Sequence, residues 1–135
     1  MDAMTIVGIA IRSSLLANSA LVGQVSDRIW QMVAPGGAPT PYVLFYWMGG
    51  GELNSTQHET FDMIYLVAAV ADTQVKAREL AGYISTTLKN QLVTYPDGYF
   101  VWSVVTEQDP YMDVANIQNR QYWIAGAVYR FRGIR

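Results

Sequence analysis

The 135-residue chain contains no cysteine and only one histidine. The lack of cysteine excludes disulfide bonds, thiolate nucleophiles and thiolate metal ligands. Only 15% of the residues are charged, against about 25% in an average globular protein, and the net charge is −2. The chain therefore lacks the dense basic region that binds nucleic acid without regard to sequence.

Long hydrophobic runs are also missing. The longest wholly apolar run covers the nine residues from Met63 to Ala71, whereas a membrane-spanning helix needs about 20. The first residues, Met1 to Met4, have none of the basic residues that open a secretory signal. We therefore expect a soluble, intracellular protein without a leader.

What the chain does have is apolar surface: hydrophobic residues make up 51% of the sequence. This amount is sufficient for one packed core, and we expect a single domain over residues 1–135. With so few charges, such a domain would have a poorly solvated surface if it were a free monomer. The composition thus favours a protein that assembles with others.

Hydrophobic periodicity predicts the order helix, two strands, a long strand, helix, two strands. The helices are predicted at 5–17 and from an N-cap at Asp72 to about Leu92, and the strands at 28–33, 42–48, 59–70, 99–106 and 120–132. Loops are predicted at 34–41, 49–57 and 107–119, with a short turn at 20–23 and a Pro-Asp-Gly turn at 95–98. This order is typical of an α+β domain in which an antiparallel or mixed sheet of four to five strands carries two α-helices on one face.

The predicted strands carry large apolar side chains on both faces. In the strand at 59–70, Phe61 and Tyr65 share one face, while Ile64 and Leu66 share the other. Two helices can cover only one of these faces. The other would expose a row of aromatic and methionine side chains, which is unusual for a monomer. We therefore expect another subunit to cover it.

Four short segments carry a recognisable order of residues. They are LLANSAL at 15–21, DRIW at 27–30, VAPGGA at 33–38 and PYV at 41–43. Together with the strand–helix unit that begins at Phe61 and the closing YRFR at 129–132, they resemble the tail terminators of tailed phages. This family is also called tail completion or head-to-tail joining proteins. The resemblance covers most of the chain and rests on element order rather than on a chemical motif.

The resemblance implies a structural virion protein without enzymatic activity. Such a protein forms a homo-oligomeric ring, typically a hexamer, that caps the finished tail tube and docks to the head connector or stopper. DNA passes through the lumen without sequence-specific binding. The resemblance further implies a place in the tail or neck of the virion after assembly in the host cytoplasm, with no cofactor and no membrane.

Residues that could contact a neighbouring subunit or the tail tube fall into three groups. The first is the glycine-rich loop and the histidine after it, the second is aromatic and the third is basic. In that order they are Gly49, Gly50, Gly51, Glu52, Asn54 and His58; Trp47, Trp102, Trp123 and Tyr129; and Arg130 and Arg132. Arg130 and Arg132 either remain solvated and make the surface soluble, or they form ion pairs with a neighbour's acidic loop.

The acidic loop matches no calcium-binding spacing. Its residues Glu107, Asp109 and Asp113 either remain solvated or form a negative lumen or rim that repels DNA and lets it slide.

No set of residues indicates catalysis, metal binding or a cofactor. His58 has no second histidine or cysteine to complete a common ligand set. The run 49–51 is followed by neither Lys-Ser/Thr nor a helix, so it lacks the features of a phosphate-binding loop. Two alternatives stay open: a small α+β enzyme or ligand-binding domain with an aromatic pocket on the sheet, and another ring of the phage neck.

Overall fold

A computed structural model describes residues 3–55, 58–89, 100–117 and 119–134, and it confirms the predicted α+β class. In chain order the elements are α1 (Ala3–Leu16), α2 (Ser19–Val25), β1 (Ile29–Gln31), β2 (Tyr42–Ser55), β3 (His58–Ala71), α3 (Gln74–Lys89), β4 (Phe100–Ile117) and β5 (Arg120–Ile134). The predicted turn at 95–98 and the predicted helix end at Leu92 lie outside the described residues.

The five strands of the described residues form one mixed sheet in the order β1-β2-β3-β5-β4. β1 runs parallel to β2, and each remaining neighbouring pair is antiparallel. β2 and β3 make a long hairpin whose register extends from Tyr42 opposite Val70 to Ser55 opposite His58. β3 also pairs with β5, so it lies at the centre, and β1 and β4 form the two edges.

The helices α1, α2 and α3 all pack on the same face of the sheet. The core on this face combines helix residues such as Ile11, Leu21 and Ile84 with alternate strand residues. The strand contribution consists of Ile29, Val43, Phe45, Phe61, Met63, Tyr65, Val67, Ala69, Val101, Ala127, Tyr129 and Phe131. These are the faces that period-2 alternation predicts for β3. For β5, alternation likewise places Ala127, Tyr129 and Phe131 on one face and Ile124 and Val128 on the other. Burial of each large side chain contributes roughly 1.5–3 kcal/mol.

One buried polar group in this core is satisfied by a helix end. The hydroxyl of Tyr65 donates to the backbone carbonyl of Met4 at 2.6 Å. The ring of Tyr65 also lies edge-on to Phe131, with 6.1 Å between ring centroids. The pairing fixes the start of α1 over the middle of β3.

The segment after α1 is a helix rather than the short turn predicted at 20–23. Asn18 caps α2, because its Oδ1 accepts from the amide of Leu21 at 3.1 Å. The Nδ2 of the same side chain donates to the hydroxyl of Thr87 on α3 at 2.6 Å. Gly23 and the β-branched Val22 are weak helix formers, so local propensity did not indicate a helix. The hydrogen bond from Asn18 to Thr87 on α3 adds a tertiary contact that stabilises α2 despite its low helix propensity.

The helix α3 begins one residue later than predicted, because Thr73 and not Asp72 is its N-cap. The Thr73 hydroxyl oxygen accepts from the amide of Lys76 at 3.2 Å. Asp72 instead accepts from the hydroxyl of Thr40 at 2.7 Å, which ties the proline-rich loop to the start of the helix. Threonine and aspartate are both good N-cap residues, so the sequence alone could not choose between them.

Three strands differ in length from their predictions. β1 is shorter, because Met32 has a φ of 73° and turns the chain away after Gln31. β2 and β4 are longer, so the loops predicted at 49–57 and 107–119 are wrong for 49–55 and 107–117. Pairing along the full length of β3 and β5 overrides the local turn signals in these segments.

The loop between β1 and β2 is anchored at both ends. Trp30 and Tyr42 meet edge-on with 5.4 Å between ring centroids. The Nε of Arg28 donates to the carbonyl of Pro41 at 3.0 Å, and the Thr40–Pro41 peptide bond is cis. The arginine and the prolines noted in the sequence therefore act together to place β1 beside β2.

No single helix among the described residues is long and apolar enough to cross a membrane. The segments Met4–Leu16 and Ser19–Val25 would pass by length and composition if taken together, but the pair is bent by 89° at the break. Their apolar side chains, including Ile6 and Leu15, lie in the core.

Gly126 lies where β5 passes close to β3. A Cβ atom at this position would collide with the carbonyl oxygen of Val67 and fall 2.7 Å from the Cβ of Ala68. We predict that Gly126→Ala lowers the free energy of unfolding by about 1–3 kcal/mol, measured by urea denaturation.

The matched control is Gly82→Ala on α3, where an added Cβ would meet no atom within 4 Å. This change should raise the free energy of unfolding by about 0.5–1 kcal/mol, because alanine restricts the unfolded chain and favours the helix. A Gly126→Ala variant as stable as the parent would contradict the close approach of the two strands.

Candidate interaction surfaces

The glycine-rich segment predicted as a mobile loop is part of the β2–β3 hairpin. Its residues pair as Gly49 with Ile64, Gly50 with Met63, Gly51 with Asp62, Glu52 with Phe61 and Asn54 with Glu59, and His58 pairs with Ser55 at the hairpin end. The segment therefore continues strand β2 to Ser55 and is not a loop.

One of these glycines, Gly50, is required by the backbone at this point. The register shifts between Trp47 and Gly49, which leaves Met48 as the extra residue of a β-bulge. Gly50 has a φ of 82°, and a Cβ there would collide with the carbonyl oxygen of Asp62. Glycine lets the strand continue beyond the bulge at low steric cost.

Four exposed apolar side chains gather where β1 ends beside β2. Met32 and Val33 follow β1, and Trp47 and Met48 lie on β2. They are between 41% and 76% exposed. The amide of Met32 donates to the carbonyl of Phe45 at 2.9 Å, which holds the two pairs of side chains next to each other. We call these four residues the corner patch; Trp47, a predicted contact residue, belongs to it.

The outer side of β1 is capped by its own chain. Ile29 donates its amide to the carbonyl of Asp27 at 2.8 Å, and its carbonyl accepts from the Nε of Arg12 at 3.2 Å. The carbonyl of Gln31 accepts from the amide of Val33 at 2.9 Å. Little hydrogen-bonding capacity is left on this side of β1 for an incoming strand.

The acidic residues predicted in a loop belong to the opposite edge strand. Glu107, Asp109 and Asp113 all lie within β4, and the register against β5 shifts three times along the strand. Trp102 falls at the first of these shifts, between Val101 and Ser103. Bulges and an internal proline are typical of edge strands, where they do not break a central ladder. β4 also presents two exposed valines, Val105 and Val114, which are 44% and 40% exposed.

The two C-terminal arginines share a carboxylate of the same chain. Asp62 Oδ2 lies 3.3 Å from the NH1 of Arg130 and 3.6 Å from the Nε of Arg132. The three residues are cross-strand neighbours on the face that the helices do not cover. Both arginines therefore have the same carboxylate of their own chain within ion-pair distance, one negative charge for two positive ones.

Trp123 and Tyr129 lie on the helix side of β5 and not on a free surface. Tyr129 is only 2% exposed and belongs to the core, so its predicted role as a contact residue is wrong. Burial raises the pKa of its phenol, and a hydrogen bond with Ser85 partly opposes this. Trp123 is half-buried beside Ala77 and Met112. Period-2 alternation gives the face of a residue but not how far a helix extends over it.

A groove of about 520 Å³ separates α3 from β4 and β5. Its lining includes Gln74, Arg78, Ser85 and Met112, with Tyr129 as its aromatic residue. The groove lies on the helix side of the sheet, and Tyr129 is the one aromatic residue of its described lining, so it is not a predominantly aromatic pocket. Among the described residues, no group of three or more histidines, aspartates and glutamates could hold a metal ion.

The face without helices is apolar, as predicted, but its centre is not open to solvent. Leu66, Ala68 and Val128 form a buried cluster there, with Tyr46 and Ile124 half-buried against it. No helix residue contributes to this cluster, so the strands cover one another through cross-strand contacts. The expected row of exposed aromatic and methionine side chains is therefore wrong for this face.

Comparison with known proteins adds a structural match. No protein-family model matches the chain, and no curated protein sequence matches it significantly. A chain from the virion of a native gene transfer agent particle superposes with a TM-score of 0.78, covering 98% of this chain and 100% of that one. The two chains share a fold. Their sequence identity is 14%, so the likeness establishes the architecture and leaves the function to be argued.

The Asp62 cluster yields a stability prediction. Asp62→Ala leaves the half-buried Arg130 and the exposed Arg132 without this carboxylate, and we expect the free energy of unfolding to fall by about 1 kcal/mol in urea denaturation. Asp27→Ala removes an exposed carboxylate near β1 and should change it by less than about 0.5 kcal/mol. Equal effects of the two substitutions would show that the cluster adds nothing to stability.

Proposed function

We propose that this chain is a structural component of a phage-like virion and has no enzymatic activity. The observation that carries the proposal is the fold match with the gene transfer agent virion chain, which extends over essentially the whole of both molecules. A match of this completeness supports a role for the whole domain rather than for an isolated motif.

Within the virion, we propose the role of tail terminator: a closed ring, built from six copies, that caps the tail tube and joins it to the head connector. The support is the resemblance carried by the segments at 15–21, 27–30 and 33–43. In the fold these segments form one connected unit, in which Asn18 caps α2 and Arg28 holds the loop that leads into β2. The same reasoning leaves the stopper and the connector of the phage neck as sibling roles.

The distribution of exposed apolar side chains supports assembly with other copies. Of the nine exposed large hydrophobic residues in the described part of the chain, six lie at the two opposite edges of the sheet. These six are the corner patch and the valines Val105 and Val114. Two different surfaces on opposite sides of a molecule produce head-to-tail contacts, and such contacts close into a ring when the rotation between copies allows it.

A ring of this kind acts through geometry. One rim binds the last ring of the tube and stops its growth, and the other rim binds the connector. The order of assembly follows if each rim becomes competent only after the preceding ring has docked. The carboxylates of β4, Glu107, Asp109 and Asp113, would supply negative charge along the lumen or a rim, so that DNA slides past without binding. The finished ring would remain in the tail or neck of the virion.

The proposal predicts a defined oligomer. Native mass spectrometry of the purified chain over a range of concentrations should show a species of about six copies, and negative-stain images should show closed rings of the same stoichiometry. The tail tube protein encoded with this chain should increase the ring fraction when the two are mixed.

The matched control is the chain carrying Val75→Lys, which adds a charge at an exposed position on α3 and on neither edge strand. It should assemble as the parent does. A parent chain that stays monomeric at all concentrations, with and without the tube protein, would contradict the proposal.

A further inference from the structure

We infer that the outer edge of β2 beyond Phe45 binds strand β4 of a neighbouring copy, so that the sheets of adjacent subunits join. This inference rests on the proposed ring and names the two surfaces that meet in it. It follows from which strand edges the chain caps itself and which it leaves open.

The edge of the sheet beside β1 is only partly covered. β1 pairs with β2 through three residue pairs, from Ile29–Val43 to Gln31–Phe45. Its outer side is capped by Asp27, Arg12 and the turn at Val33, as described above. β2 then continues from residue 46 to residue 55, and no described residue pairs with the outer side of this stretch.

The open stretch lacks the usual protection of a free edge. Folded monomers protect such edges with lysine, proline or a covering loop. Residues 46–55 contain no lysine, arginine or proline, and Glu52 is their only charged residue. The corner patch lies at the start of the stretch, so open backbone groups and exposed apolar side chains occur together. This combination is typical of an edge that receives a strand from another chain.

The same chain offers a matching strand on its other side. β4 is 18 residues long, and within the described residues its one strand partner is β5. Val105 and Val114 add exposed apolar surface on this strand. Each copy therefore presents one open edge at β2 and one at β4, which is the arrangement a head-to-tail contact requires.

Strand direction is compatible with the contact. β2 and β3, β3 and β5, and β5 and β4 are each antiparallel, so β4 runs opposite to β2 within one copy. A rotation about an axis roughly along the strands preserves these directions. β4 of one copy therefore meets β2 of the next in the antiparallel sense. In antiparallel pairs the ladder hydrogen bonds run perpendicular to the strands.

Charge also favours this pairing over a contact between two like edges. β4 carries Glu107, Asp109 and Asp113 and no basic residue. On the other edge, Arg12 and Arg28 lie beside β1, with Asp27 next to them and Glu52 further along β2. Two β4 edges, each with three carboxylates and no basic residue, would repel each other, whereas these four residues of the β1–β2 side sum to zero charge and do not repel β4.

Cysteine cross-linking tests the contact cleanly, because the natural chain has no cysteine. Two double variants are made, Met48→Cys with Val105→Cys and Met48→Cys with Val114→Cys, and each is oxidised with and without a flexible bis-maleimide linker. The matched control combines Met48→Cys with Val75→Cys, since Val75 is exposed on α3 and belongs to neither edge. Denaturing gels report covalent species, and native mass spectrometry of the same samples reports assembly.

A ladder of covalent oligomers from at least one β2–β4 variant, together with its absence from the control, is the expected result. Rings in the mass spectra without a ladder from either variant would overturn this inference and leave the proposed function standing. Ladders of equal strength from the control would also overturn it, because they would reflect random collision. Absence of both rings and ladders would overturn the inference and the proposed function together.

A second measurement does not depend on register. Lysine substitutions at Val105 and Val114 place charges on the β4 edge, which is how natural proteins block strand addition. The double variant should raise the concentration needed for half-assembly by about tenfold or more, while Val75→Lys should leave it unchanged. Circular dichroism and thermal unfolding of both variants identify any loss of fold. Assembly of a folded double variant at the parental concentration would overturn the inference.

Discussion

The whole architecture depends on β3, a strand that is paired along both edges and packed on both faces. Its register against β2 and β5 is continuous over most of its length. One face meets the helices through Tyr65 and Val67, and the other meets side chains of neighbouring strands through Leu66 and Ala68. A slip of one residue would exchange these two sets, so the register is strongly specified. The helices and both neighbouring strands take their positions from it.

The sequence was sufficient to predict whatever depends on local periodicity. It indicated the fold class, two of the three helices, the faces of β3 and β5 and the approximate position of each strand. It failed where distant pairing opposes a local signal. The glycines at 49–51 indicate a loop when taken alone, but β3 provides a ladder that carries the strand through a bulge. Likewise, α2 depends on the contact between Asn18 and Thr87, two residues far apart in the chain.

The predicted contact residues show more clearly what the sequence alone could not predict. The pattern of apolar residues indicated that both faces of the sheet would be apolar, and this is correct. It could not indicate strand order, and strand order decides which residues lie at an edge. Trp47 is exposed because β1 stops beside it, whereas Tyr129 is buried because α3 lies above it. Among the described residues, most of the exposed large apolar side chains therefore lie at the two edges of the sheet and not at the centre of its uncovered face.

The short length of β1 determines how much of the outer edge of β2 is left without a strand partner. Met32 holds a left-handed backbone conformation, with a φ of 73°, which a side chain of this kind adopts only at a cost of roughly 1–2 kcal/mol. This residue ends β1 after Gln31, and among the described residues nothing pairs with the outer side of β2 beyond Phe45. A single left-handed position thereby sets how much of the strand edge is left unpaired.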